Sequence, residues 1–356
     1  MVRFRIIGFV LIFLTTVLVS AFPAAAQKPY RVGTTAANFL EVGYGSAGSA
    51  MGDAYVSVAN DLSALYWNPA GLAFMKQNEA QFSYQPWLVG IQTSFTSVGL
   101  ALPGIGSLAI GMIQVNYGSM DVTSLQMQEG TGEQFTANDY AVSLSYSRKI
   151  TQWFSFGVSA KYIASQIWHE HASAMALDLG VIVKTSFLSP TGKRMDGLNI
   201  GMSISNYGTR MKYDGIDLTR PIDILPRENG NYSEVPGQFQ SREWELPLLF
   251  RIGVSVYPFV HGNNRITFAV DAIHPNNNSE SVNVGAQYEL TLPSAGTFYL
   301  RSGYKALFMD ESQYGFSFGG GMTLRMMHNV ALKLEYAYRG IGLLGKINSY
   351  SVGVVF

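Results

Sequence analysis

The 356-residue chain contains no cysteine. That excludes a disulfide framework, a thiolate metal site and a cysteine nucleophile. Charge is also scarce. Asp, Glu, Lys and Arg together make up 13%, about half the usual quarter for a soluble domain. Lys+Arg and Asp+Glu are 24 each, and no basic cluster stands out. A nucleic-acid binder normally shows such a footprint, so nucleic acid is not an expected partner. After the N-terminal region, no segment has 18 consecutive apolar residues. A bundle of membrane-spanning helices is therefore excluded.

What is present narrows the class further. Apolar residues make up 47% and aromatics 13%, including 20 Tyr and 21 Phe, with 37 Gly. This content argues against disorder. It leaves a folded protein with too few charges to cover a water-facing surface. A membrane β-barrel has this composition, because half of each strand faces lipid.

The first segment reads as a targeting signal. Arg3 and Arg5 precede an apolar stretch from Ile6 to about Ala21, followed by Pro23 and Ala24-Ala25-Ala26. That is a basic region, a hydrophobic region and an Ala-x-Ala cleavage site. Cleavage is expected after Ala26, and the loss of Arg3 and Arg5 leaves acidic residues in slight excess. An uncleaved anchor helix is the competing reading. It is disfavoured by the short stretch and its Thr15, Thr16 and Ser20. No Cys follows the site, so a lipoprotein is excluded.

From Asn78 onward a period of two dominates. Leu332, Leu334, Tyr336 and Tyr338 alternate with Lys333, Glu335, Ala337 and Arg339. In a strand these sets point to opposite sides. The last strand sets Tyr350, Val352, Val354 and Phe356 against Ser349, Ser351, Gly353 and Val355. Fourteen such strands are expected, near 78–88, 91–102, 106–117, 136–149, 153–168, 172–187, 196–206, 246–257, 264–273, 280–290, 296–306, 313–325, 329–339 and 346–356. Many are long enough to cross a bilayer at a tilt.

The connections add to this. Every second one is short or compact: Pro103–Gly106, Ile150–Gln152, Pro258–Asn263 and Met326–His328. The two longest, about Gly118–Phe135 and Tyr207–Glu245, fall on the other side. Outer-membrane barrels have short periplasmic turns and longer external loops. Phe356, closing an aromatic-alternating strand, is similar to the terminal signal of barrels inserted by the barrel assembly machinery. A soluble β-sandwich would alternate too, but would carry charges on its outer face.

Residues 41–75 break the alternation. Small residues run from Gly45 to Asp61, then come Tyr66-Trp67-Asn68-Pro69-Ala70-Gly71-Leu72. Small residues allow close backbone packing. Asp61 suits the N-cap of a short helical turn, and Asn68-Pro69 favours a turn. This composition suits a luminal plug; a periplasmic extension or an extra sheet pair is the plainer alternative. The Gly45/Gly48/Gly52 spacing lacks the βαβ context of a nucleotide fingerprint.

The run from Gly45 to Leu72 resembles the N-terminal signature of the PorV/PorQ family, part of the wider FadL-like group of outer-membrane transport proteins. Asp271-Ala272-Ile273-His274-Pro275, Glu280–Gly285 and Leu300-Arg301-Ser302-Gly303-Tyr304-Lys305 resemble further motifs of that family, as do Tyr336-Ala337-Tyr338 and Leu344-Gly345. Residues 207–245 resemble nothing familiar. The resemblance implies a 14-stranded barrel with an N-terminal hatch. It also implies that Asn68, Pro69 and Ala70 lie by the route of hydrophobic ligands. The family implies a part in type IX secretion, carrying exported proteins to surface attachment.

The remaining candidates each have a plain reading beside the functional one. His169-Glu170-His171 offers two His on one strand face, but at a loop tip a solvated surface is the preferred reading. Asp271, Arg301, Lys305, Lys333, Glu335 and Arg339 are expected to face the lumen. A cation on the lipid face costs about 2–4 kcal/mol near the midplane. They form either a charged pathway wall or, preferably, an ion-pair network that anchors the hatch. No Gly-x-Ser-x-Gly elbow stands out, so no enzymatic activity and no cofactor are expected. Asn276–Ser279 and Glu228–Asn231 read as turns, and the length of 207–245 suits partner contact.

The sequence thus specifies an all-β protein: a transmembrane antiparallel β-barrel of about 14 strands with an N-terminal luminal hatch, in the outer membrane of a diderm bacterium. Residues 1–26 are the signal peptide, 27–77 the periplasmic or hatch segment and 78–356 the barrel. The leading function is an accessory to protein export, with exported proteins or secretion components as partners. The alternative is passive transport of hydrophobic small molecules. Outer-membrane lipid and the assembly machinery are the other expected partners.

Overall fold

The computed structural model describes residues 31–228, 234–309, 311–327 and 329–356. The signal-peptide reading of 1–26 lies outside the described residues, as do Asn229, Gly230 and Asn231 of the turn expected at 228–231.

Fourteen long strands form the wall. They are β1 (Glu79–Pro86), β2 (Gln92–Leu102), β3 (Gly106–Asp121), β4 (Gln134–Lys149), β5 (Phe154–Ile167), β6 (Glu170–Lys184) and β7 (Asn199–Gly208). β8 (Leu249–His261), β9 (Asn264–Pro275), β10 (Ser281–Leu292), β11 (Gly296–Leu307), β12 (Phe316–Met327), β13 (Val330–Gly340) and β14 (Lys346–Val355) follow. Each pairs antiparallel with its sequence neighbours, and β14 pairs with β1, so the sheet closes without an edge. Closure removes unpaired backbone groups, which a hydrocarbon surrounding would not satisfy. Each expected strand overlaps one of these. The largest shifts are β3, which runs on to Asp121, and β8, which runs on to His261.

The period-two pattern becomes an inside and an outside. On β1, Glu79, Gln81, Ser83 and Gln85 are buried, while Phe82 and Pro86 are exposed. On β14, Ser349 and Ser351 are buried, and Tyr350, Val352 and Val354 are exposed. The outward faces add stacked aromatics, such as Phe318 and Tyr338 with ring centroids 4.8 Å apart. An apolar exterior around a polar, small-residue interior is the arrangement of a membrane-spanning barrel.

One end carries the turns 103–105, 150–153, 262–263 and 293–295, the reversal between Met327 and Val330, and the terminal Phe356. The other carries 87–91, 122–133, 276–280 and 341–345, and the connections that leave Gly208 for Leu249 and Leu307 for Phe316. Two connections depart from the expected alternation. Residues 185–198, at the short-turn end, form a longer connection with a helical turn at Arg194–Asp196. At the long-loop end, Trp168-His169 is a two-residue turn. Trp168 takes a φ of +54°, which lets the chain reverse directly from β5 into β6. Glu170 and His171 are therefore strand residues, not part of a loop tip. Phe356 extends the closing ladder: its N–H donates to Asn78 O at 2.9 Å, and Asn78 N–H donates back at 3.1 Å.

The interior is filled by residues 38–75, which include the short helices α1 (Ser46–Ala50) and α2 (Ala64–Trp67) and a 3-10 helix at Pro69–Phe74. Leu40, Met51, Leu62, Leu65, Trp67 and Leu72 are almost wholly buried. Their surroundings are inward-facing strand residues, so the hydrophobic core is a luminal segment inside a small-residue ring. The segment runs lengthwise. Residue 35 bridges Glu245 at the long-loop end. Phe74 lies under the ammonium groups of Lys184 (3.6 Å) and Lys149 (4.7 Å) at the short-turn end. Residues 31–37 thus lie at the long-loop end.

Close approach explains the inward glycines. Gly157 and Gly180 face each other across β5 and β6, and a Cβ on either would collide with Asn68 or Pro69. Gly303 on β11 meets the Met51–Gly52 backbone in the same way. Gly48, from the apparent nucleotide-type spacing, packs on the Trp67 indole. Overpacking typically costs about 1–3 kcal/mol. Gly303→Val is therefore expected to lower stability by at least that much, read from the denaturant midpoint and the heat-modifiable barrel band. Gly340→Ala, where a Cβ meets only Phe316 O at 3.7 Å, is expected to change little.

Candidate functional site

The luminal segment is pinned to the wall by charge. Asp53 is buried, with one carboxylate oxygen paired to Arg339 and the other 2.7 Å from Lys305 Nζ. Arg339 also donates to Val42 O at 3.2 Å. These cations come from β13 and β11, so one carboxylate ties the segment to two places in the wall. Asp53 sits at φ +64° directly after Gly52, also at φ +64°. The left-handed pair aims the side chain outward from a tight turn.

A second anchor forms around Lys333. Its ammonium pairs with Asp61 and lies 3.3 Å from Glu79 Oε1. Burial raises the Asp61 carboxyl, but Lys333 beside it outweighs this and holds it below the ordinary carboxylate range. Asp61 also accepts from Ser63 N–H at 3.0 Å. It thus orders the turn leading into α2 as well as gripping β13. Two further pairs lie within the wall: Arg301 with Glu335 at 2.9 Å, and Lys161 with Asp178 at 2.6 Å. Asp271 accepts the Val56 N–H at 2.8 Å.

All six luminal charges expected from sequence are therefore buried and inward. Lys305, Lys333, Arg339 and Asp271 contact the luminal segment, while Arg301 and Glu335 contact each other. Sequence reading missed their partners Asp53 and Glu79, the pair-forming role of Asp61, and the buried Arg251. The signal for the two aspartates was their position in a segment nearly free of charge. Only three-dimensional closure shows which cation meets which.

Asn68, Pro69 and Ala70 are wholly buried. Asn68 is extended, as the residue before proline should be. Its amide donates to Val56 O at 3.0 Å and Val181 O at 3.1 Å, and its oxygen accepts from Ala70 N–H at 3.1 Å. Ala70 O accepts from Ser147 and Ser155 at 3.3 Å each. The motif is a cap and clamp that joins the luminal segment to β4, β5 and β6.

At the long-loop end, His169 Nδ1 lies 3.0 Å from Asp217 Oδ2, and Glu170 accepts from Asp217 N–H at 2.8 Å. Among the described residues, no group of three His, Asp or Glu side chains is placed to hold a metal ion.

Leaving a buried charge without its partner costs about 3–5 kcal/mol. Asp53→Asn orphans Arg339 and Lys305, so a loss of about that size is expected in denaturant unfolding. Arg210→Gln breaks only the exposed 3.3 Å pair with Glu245, worth at most about 1 kcal/mol. Asn68→Ala is expected to cost about 2 kcal/mol or more, since it removes the cap and also leaves the buried Val56 and Val181 carbonyls without its donor.

The chain has known relatives. A family profile for the type IX secretion system protein PorV matches residues 24–223. The match includes the Gly45–Leu72 run and stops short of the C-terminal motifs. No curated protein matches the chain. Among solved structures, a Pseudomonas aeruginosa FadL homologue aligns with a TM-score of 0.51 at 11% identity, over 88% of this chain and 98% of that one. The Ralstonia pickettii toluene transporter TbuX aligns with a TM-score of 0.53 at 10% identity, over 88% and 97%. The Pseudomonas putida toluene transporter TodX gives 0.54 at 13% identity, again over 88% and 97%. At these identities the likeness establishes the fold. With more than half of its length matched, the chain belongs to the family of the type IX secretion system protein PorV and is an outer-membrane β-barrel.

Proposed function

We propose that this barrel is an accessory of protein export, with its long-loop end as the binding surface for exported proteins or secretion partners. The observation that carries this reading is the set of apolar side chains displayed there beyond the strands. Val89 is 98% exposed, Leu343 94% and Leu125 88%. Phe308, Ile216 and Phe239 are also exposed. Apolar side chains held out in water at one end of a barrel are candidates for contact with a partner. Val89 also holds a φ of +54°, a costly conformation for a β-branched residue. The 209–248 connection adds a two-stranded ribbon, Thr219–Ile222 against Val235–Gln238, so the surface has internal order.

The filled lumen fits the same reading. Close backbone packing at Gly157, Gly180 and Gly303 leaves the wall and the luminal segment in direct contact. A scaffold for partners tolerates such a seal, whereas a conduit must open it.

Passive transport of hydrophobic small molecules is the second reading. It is supported by the architecture shared with proteins described as toluene transporters. On that reading, Asn68, Pro69 and Ala70 would have to move to let a ligand pass.

Affinity capture from native membranes, followed by mass spectrometry, separates the two. The export reading expects a secretion component or exported protein with the wild-type chain. It expects that partner to be lost when residues 216–239 are replaced by a short Gly-Ser linker, with the barrel still heat-modifiable. Recovery of no protein partner, together with a bound lipid-like ligand, supports the transporter instead.

A further inference from the structure

Four basic side chains that are scattered in the sequence meet at the short-turn end: Lys76, Arg148, Lys149 and Lys184. Lys149 closes β4 and Lys184 closes β6. Their ammonium groups lie 4.7 and 3.6 Å from the centre of one ring, Phe74. The ring offers a π-face to each cation but no net negative charge. The charges that act on Lys184 are those of Lys149, Arg265 and Lys76, and Lys76 also acts on Lys149. None of the four has a carboxylate within 4 Å among the described residues. The acidic side chains toward this end serve other cations. Asp196 pairs with Arg265, Glu289 stands opposite Arg265 in the β9–β10 register, and Glu79 is held by Lys333. Like charges gathered at one place repel, which is the reverse of the pairing inside the lumen.

Lys76, Arg148 and Lys149 line a cleft of about 330 Å³ at the rim of the barrel. Its other walls are the exit of the luminal segment at Ala73 and Met75 and the turn around Pro103 and Gly104, and no acidic residue lines it. Arg148 and Lys149 are consecutive on a strand, so they leave the wall on opposite sides. Lys149 turns inward over Phe74, and Arg148 takes the lipid-facing side. Arg148 donates from Nη2 to Gly104 O at 3.4 Å, and most of its five donors stay open. The cleft therefore straddles the rim. Beside it the outward surface is apolar: Ile105, Ile150 and Trp153 are all exposed. Outer-membrane barrels carry their short turns on the periplasmic side, with aromatic residues at the interface. A cationic cleft that opens onto an apolar, lipid-facing rim fits an amphiphile with an anionic head.

We propose that this cleft holds the headgroup phosphate of an anionic phospholipid in the periplasmic leaflet. Lys76, Arg148 and Lys149 take the phosphate oxygens, and the acyl chains lie along Ile105, Ile150 and Trp153. Arg meets phosphate with two-point hydrogen bonding, and Lys adds a point charge. A lipid held there also offsets the repulsion among the cations that surround Phe74. The inference is independent of what the long-loop end binds.

The test is native mass spectrometry of the purified full-length barrel in non-ionic detergent, titrated with phosphatidylglycerol and with phosphatidylcholine of the same acyl chains. Both carry a phosphate, but only the first carries a net charge. One phosphatidylglycerol is expected to stay on each barrel, and phosphatidylcholine to bind about tenfold more weakly, given the pull of each basic side chain on anionic lipid. Lys76→Gln with Lys149→Gln is expected to bring phosphatidylglycerol down to the phosphatidylcholine level. Lys193→Gln with Arg194→Gln removes the same charge from the same end but outside the cleft, and is expected to leave binding unchanged. All four of these side chains are exposed, so both double variants are expected to fold, and the two-lipid comparison on the wild type needs neither. The proposal is overturned if the two lipids bind alike, if both double variants lose phosphatidylglycerol equally, or if the cleft variant binds it as the wild type does. It is also overturned if inorganic phosphate at equal concentration displaces the lipid, which would make the free anion the ligand.

Discussion

The structure depends on pairing one buried carboxylate, Asp53, with two wall cations, Arg339 and Lys305. None of these side chains can stay charged alone in a closed lumen without a penalty of several kcal/mol. Together they satisfy one another, and in doing so they fix where the luminal segment sits. The Lys333, Asp61 and Glu79 cluster repeats the device nearby. The glycine contacts depend on this placement. Gly303 has to lack a side chain only because the Met51–Gly52 turn is held against β11.

The wall was legible in the sequence because its rule is local. Alternation along Leu332–Arg339 states which side of β13 each residue takes, and a one-residue slip would invert it. The parity of long and short connections was legible for the same reason, since each is read between neighbouring strands. It failed at Trp168-His169, where a single positive φ replaces a loop, and at 185–198, where a turn is elaborated. Neither feature has a periodic signal.

The interior was legible in kind and not in detail. Sequence placed Lys333 and Arg339 inward because lipid excludes them. Their partners Asp61 and Asp53 lie more than 270 positions away along the chain, and nothing in the order of residues encodes that meeting. Asn68 was read from family likeness as part of a ligand route. The structure gives it three hydrogen bonds that hold the segment shut. The family match covers the luminal segment and the first half of the wall. The loops that would distinguish a task come from both halves.

The pinned luminal segment is expected to close the barrel, and the role proposed for the long-loop end rests on that closure. The most direct measurement is the conductance of the purified wild-type barrel in a planar lipid bilayer. A pinned segment predicts insertion without steady ohmic current, and current only when Asp53→Asn releases the segment. A stable open-pore conductance in the wild-type barrel would rule that closure out.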